Sequence, residues 1–253
     1  MKKTLKILVE EFKKSLHISL KDLKLYFLKG PNLTFGILLP VVLYLAFSAG
    51  REESLVNTIP GLISMGIFFG AGAIHAVSIP LEKQLGTIKM VLTTPTRFVT
   101  IIFGKILAGF FFGLILSSFY SLIIFLFFIF ASLFLNLLLY FLPILVSSQI
   151  ASTFGVFLAT PFREIPQAMP PATVIRIFMV FVCGVFQPIS ELPISFQIMA
   201  YFLPLTYSVE LFEQAFGGGF LHPFIILISL GALMVFMILF LILGYKIFKH
   251  KIE

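Results

Sequence analysis

The chain has 253 residues, 59% of them hydrophobic and 11% charged, with a mean hydropathy of +1.10 and a formal net charge of +7. Soluble domains carry about 25% charged residues, so this chain has too little polar surface for water and takes the lipid bilayer as its solvent. The apolar residues run in long blocks, which excludes the alternating strands of an outer-membrane barrel, and the basic residues fall in short segments between those blocks, which reads as membrane orientation rather than nucleic-acid binding.

Residues 4–27 predict an amphipathic helix: Leu5, Leu8, Val9, Phe12, Leu16, Leu20, Leu23 and Phe27 recur every three or four residues, with Lys6, Lys13, Lys14, Lys21 and Lys24 between them. That pattern suits a helix in the headgroup plane, apolar face toward lipid; the alternative is a solvated helix against a partner protein. These Lys-rich residues lack the short apolar core and small-residue cleavage site of a signal peptide, so no cleavable leader is expected. Gly30-Pro31 then turns the chain into the bilayer.

Six transmembrane spans follow, at about 33–49, 59–80, 99–127, 137–160, 172–187 and 223–245. The block 99–162 is divided into two crossings with a turn near Ser132 and Asn136. "PFREIPQAMPP" at 161–171 reads as a polar hinge, and 188–222 as an external region broken by Pro188, Pro193, Pro204 and Gly217-Gly218-Gly219. Six spans place both termini on one side. Seventeen of the eighteen Lys and Arg residues then fall on that face and only Arg51 on the other, which makes the first face cytoplasmic.

Few residues offer chemistry. Lys105 and Arg176 sit toward cytoplasmic ends of spans, where snorkelling to headgroups is expected. His75 is expected to be structural rather than a proton relay. Mid-span Asp and Glu are absent, which disfavours a proton- or sodium-driven carrier. Cys183, the single cysteine, reads as a small buried hydrophobe. No metal-site, nucleophile-elbow or phosphate-loop motif occurs, so no catalytic or metal site is assigned. Gly66 with Gly70, and Gly109 with Gly113, form two GxxxG pairs that permit close helix packing.

One cytoplasmic segment stands out. In "EKQLGTIKMVLTTP" at 82–95, a helix places Leu85, Ile88, Val91 and Leu92 on one stripe, with Glu82, Lys83 and Lys89 elsewhere, and Pro95 ends it. A solvated loop needs no apolar stripe, whereas a docking helix does.

These residues carry a resemblance. "LEKQLGTIKMVLTTPTRFVTIIFGKILAG" at 81–109 resembles the cytoplasmic-loop motif of type-2 permeases of ATP-binding-cassette (ABC) transporters, through Glu82, Gly86, Thr87, Leu92, Thr94, Pro95, Gly104 and Lys105. The external stretch 186–219 is similar to the same family's Pro-rich start, short helix and "NPLTY"-like turn, through Pro188, Leu192, Pro193, Pro204, Leu205, Thr206 and Tyr207. Leu203 departs from the family's usual Asn, and Glu213 falls near a position that is often Arg. The resemblance implies an all-α integral membrane domain over 1–253: an amphipathic connecting helix (4–29), six spans, a coupling helix (82–94) and external re-entrant helices (188–222). It implies a plasma-membrane exporter of amphipathic or lipid-like molecules, working as a homodimer or with a sibling permease among membrane lipids. The chain itself would hold no cofactor; ATP and Mg would sit on a separate ATP-binding subunit coupled through Glu82, Gly86, Thr87, Ile88, Val91, Leu92 and Pro95. The alternatives are a polysaccharide or lipid-linked-glycan exporter of the same family, an ATP-independent carrier, or a membrane enzyme.

Overall fold

A computed structural model describes residues 2–26, 29–48, 55–94, 96–127, 137–216 and 222–252. The described residues are helical with no strand: α1 (Lys2–Tyr26), α2 (Gly30–Leu33), α3 (Leu39–Ser48), α4 (Leu55–Gln84), α5 (Thr87–Leu92), α6 (Phe98–Phe127), α7 (Leu137–Ala159), α8 (Ile165–Val182), α9 (Ile194–Tyr201), α10 (Pro204–Phe216) and α11 (Pro223–Ile252). Among the described residues, five stretches are long and apolar enough to cross a membrane: Ile59–Gln84, Phe98–Leu122, Tyr140–Ala159, Ile165–Val182 and Pro223–His250. Where the first span is expected, a shorter apolar helix, Thr34–Ala46, runs from a π-helical turn (Thr34–Leu38) into α3. The π turn closes through the Leu39 N–H donating to the Thr34 carbonyl, five residues back.

The centre of the bundle is α4. Every residue from Ile59 to Pro80 is buried, because α6, α7, α8 and α10 pack around it. Small residues make this approach possible. A β-carbon at Gly66 would strike the Tyr120 ring, and one at Gly70 would strike Leu116, both on α6. The opposite case is α11, whose Phe224, Leu227, Ile228, Met234, Val235, Ile238, Leu239 and Ile242 point outward, an apolar face suited to lipid. Cys183 is free and buried just past α8.

The expected hinge at 161–171 is shortened to the non-helical residues 160–164, because α8 begins at Ile165 and ends at Val182 rather than spanning 172–187. Pro166 occupies the first turn, where no intrahelical N–H is required. Pro170 and Pro171 each delete one N–H donor further in, and the helix continues through both. It terminates where Gly184 adopts a left-handed φ of 82°. The expected turn at Ser132 and Asn136, the glycines 217–219, the loop around Arg51 and Pro95 all lie outside the described residues.

Candidate functional site

The amphipathic start of the chain folds as one helix, α1, packed along α6. Its buried stripe is polar: Ser15, Ser19 and Asp22, with Tyr26 one turn on. Leu8, Val9, Phe12 and Leu20 remain exposed. The approach to α6 is close, since a β-carbon at Gly104 would lie 2.8 Å from the Ser15 carbonyl. The Ser15 hydroxyl donates to the Thr100 carbonyl at 3.0 Å, and the Thr100 hydroxyl donates to Glu11.

One turn along, three helices meet at an ion cluster. Lys105 Nζ on α6 lies 2.9 Å from Asp22 Oδ2 on α1 and 2.9 Å from Glu82 Oε2 on α4. Lys21 Nζ closes the ring, 2.6 Å from Glu82 Oε1 and 3.1 Å from Asp22 Oδ1. Lys105 is 1% exposed and Asp22 fully buried. Burial alone would raise the Asp22 carboxyl, but Lys105 and Lys21 outweigh it and hold it below the ordinary carboxylate value. Burial, reinforced by the Glu82 charge, pushes the Tyr26 hydroxyl up to about 12. The snorkelling expected of Lys105 is therefore corrected: its counter-charges lie on neighbouring helices, so the ammonium stays inside.

The segment 82–94 is not one helix. The last turn of α4 carries Glu82 into the ion cluster, Leu85 and Gly86 form a turn, and α5 restarts at Thr87. Gly86 has φ 71°, a left-handed conformation that a β-carbon would strain. The Thr87 hydroxyl donates to the Glu82 carbonyl at 3.2 Å. Ile88 is 2% exposed and packs with Ile79, Ile102, Ile106, Val156, Ala159 and Phe248, with Leu92 against the same cluster. Val91 is half-buried. The expected single stripe is thus divided: Ile88 and Leu92 hold α5 to the bundle, while Leu85 (64% exposed) and Met90 (68%) point away from it. Lys89, Thr93 and Thr94 share that exposure. Lys83, behind α5, donates to the carbonyls of Thr160 and Phe162 and sits over the Phe248 ring.

Deeper in the bundle, His75 on α4 hydrogen-bonds Ser152 on α7 through Nε2 at 2.9 Å, and the Ser152 hydroxyl donates to the Ile106 carbonyl at 2.7 Å. Gly109 faces this pair, and a β-carbon there would overlap both His75 and Ser152. One at Gly113 would lie 2.9 Å from Ser148, and one at Gly155 would lie 2.6 Å from the Gly72 backbone. Arg176 on α8 rests against Gly72 and is 3% exposed, so the snorkelling expected of it is also corrected. Because α8 already begins at Ile165 instead of at the expected 172, this arginine sits eleven residues into the helix and not in its first turns.

At the other end of α8, Pro188 precedes a 3-10 turn (Ile189–Glu191), Pro193 precedes α9, and buried Pro204 opens α10. The Thr206 hydroxyl donates to the Ala200 carbonyl at 2.6 Å and the Tyr207 hydroxyl to the Tyr201 carbonyl at 2.9 Å, so α10 caps α9. Among the described residues no group of His, Cys, Asp and Glu is placed to hold a metal ion.

Sequence reading does not single out Asp22, Gly72, Ser152 or Gly155. Asp22 had a signal, being the only aspartate in the chain and lying beside the apolar stripe of an otherwise lysine-rich helix. No curated protein matches this sequence. The profile of the ABC-2 type transporter family does match, over residues 24–217, from the last residues of α1 through Glu82, α5, Lys105 and the α9–α10 cap. With well over half of its length matched, this multi-pass, all-α membrane chain belongs to the ABC-2 type transporter family, as a permease subunit.

Proposed function

We propose that this chain is the membrane half of an ATP-driven exporter, and that a separate ATP-binding subunit docks on the outer face of the 82–94 segment. The observation that carries this reading is the divided surface of α5. Ile88 fixes the helix to the bundle while Leu85 and Met90 are left outward beside Lys89, at the edge of an otherwise polar turn. Exposed large apolar residues at a cytoplasmic surface have no lipid to cover them and fit a protein groove.

The coupling route follows from connectivity. A push on α5 enters α4 through the Gly86 turn and reaches α1 and α6 through Glu82, Lys21, Asp22 and Lys105. Two conformations with different affinity for the ATP-bound partner are required for hydrolysis to shift the population. Two permease copies, both with cytoplasmic termini, would pass an amphipathic or lipid-like molecule outward. The docking test is to purify the chain with its ATP-binding subunit and replace Leu85 and Met90 with Glu. Loss of the complex and of coupled ATP hydrolysis is expected; an intact, fully coupled complex would overturn the docking assignment.

A further inference from the structure

Arg176 lies eleven residues into α8, roughly 16 Å along it at 1.5 Å per residue, in a helix long and apolar enough to cross the membrane. It is 3% exposed, and among the described residues it forms no ion pair. The carboxylates of Asp22 and Glu82 are committed to Lys21 and Lys105, Glu11 to Lys14, and Glu210 accepts from Ser229 at 2.7 Å. An unpaired charge in a membrane interior is costly and by default marks a pathway or a binding site.

The unpartnered atoms are Nε and Nη2. On a planar guanidinium these two N–H groups lie on one edge and point the same way, which is the edge that grips a carboxylate or phosphate with two parallel hydrogen bonds. Here that side of the guanidinium lies against Gly72: a β-carbon there would lie 2.7 Å from Nη2, 2.9 Å from Nε and 3.0 Å from Cζ. Only glycine lets α4 and the guanidinium come so close, and in this packing Nε and Nη2 find no acceptor.

We propose that Arg176 is an anion-recognition point of the transport pathway, closed against Gly72 in this conformation and presented when α8 separates from α4. Its ligand is the oxyanion head, carboxylate or phosphate monoester, of an amphiphile whose apolar body suits the surrounding bundle. This rests on the transport reading above and adds the substrate class.

The experiment uses the chain with its ATP-binding subunit in phosphatidylcholine nanodiscs, with three radiolabelled probes sharing one tail: lauric acid, dodecyl phosphate and dodecanol. Saturable binding above empty discs is measured. Lauric acid or dodecyl phosphate should bind at least about tenfold more tightly than dodecanol, the scale of one charge-assisted bidentate contact. Whichever of the two is tighter identifies the head as carboxylate or phosphate. R176Q should erase the preference, and R176K should restore only part of it, since an ammonium lacks the two-donor edge. Equal binding of all three probes by the unaltered protein overturns the proposal without any variant, and so does a preference unchanged in R176Q, which would place the anion elsewhere or assign Arg176 to a carboxylate of the second copy. Arg176-dependent binding with no stimulation of ATP hydrolysis would uphold the site and sink the transport reading. Stimulation without head-group preference would do the reverse.

Discussion

Lys105 and Glu82 meet across 2.9 Å inside the protein, on two helices that hydropathy treats as independent spans. With Asp22 they make α1, α4 and α6 one ionic unit next to α5. Removing the buried cation leaves two buried carboxylates with only the partly exposed Lys21 between them. Lys105→Met is expected to cost about 3–5 kcal/mol, the scale for breaking a buried pair, read as a drop in melting temperature of the detergent-solubilised protein. The triple change Lys105→Met, Asp22→Asn and Glu82→Gln should recover most of it, because no buried charge is left uncompensated and the partly exposed Lys21 can turn to solvent. A single variant that melts like the unaltered protein would remove the cluster from the stabilising core.

The same cluster sets an acid limit. Asp22 titrates below its unfolded value, so its contribution is fully present above that value, about 4, and is lost as pH falls from there through the lower folded value. Melting temperature should therefore fall steeply below about pH 4, and D22N should flatten that fall while lowering stability at neutral pH. An identical acid limb in D22N would assign the loss to other carboxylates.

The two sides of α5 should separate by assay. Ile88→Ala removes a buried side chain and should lower stability by about 2–5 kcal/mol. Met90→Glu changes an outward residue and should leave stability within about 0.5 kcal/mol while weakening capture of the ATP-binding subunit. If Met90→Glu melts early and Ile88→Ala does not, the orientation of α5 is reversed.

Glycine positions give a contrast between packed and open sites. Gly109→Ala drives a methyl into His75 and Ser152 and within 2.8 Å of the Ala71 carbonyl, with an expected cost of about 1–3 kcal/mol for overpacking. Gly231→Ala meets nothing within 4 Å and should be neutral or stabilising by at most about 1 kcal/mol. Equal melting temperatures for the two variants would refute the tight seam between α4, α6 and α7.

Hydropathy alone made the helical membrane architecture legible, because long unbroken apolar runs have no other stable home. The ends of α8 were not legible. Proline density at 161–171 signals a break locally, yet Pro166 sits where a helix tolerates it and packing on α4 carries the chain past Pro170 and Pro171. Burial of Lys105 and Arg176 was hidden for a different reason. Snorkelling depends on what stands beside the side chain, and the Asp22 partner lies 83 residues away in sequence. The α5 stripe was visible as periodicity, but periodicity cannot say whether the bundle or a partner covers it. Ile88 went to the bundle, and the outward contacts fell to Leu85 and Met90.

The polarity of α1 runs inside out, with Ser15, Ser19 and Asp22 turned inward and Leu8, Phe12 and Leu20 outward. Peeled away from α6, such a helix would have to drag an aspartate through the lipid boundary and strand Lys105 behind it. Its detachment is therefore all-or-none rather than graded. A truncation that removes it does not trim a surface anchor; it withdraws one of the two counter-charges on which a neighbouring span depends.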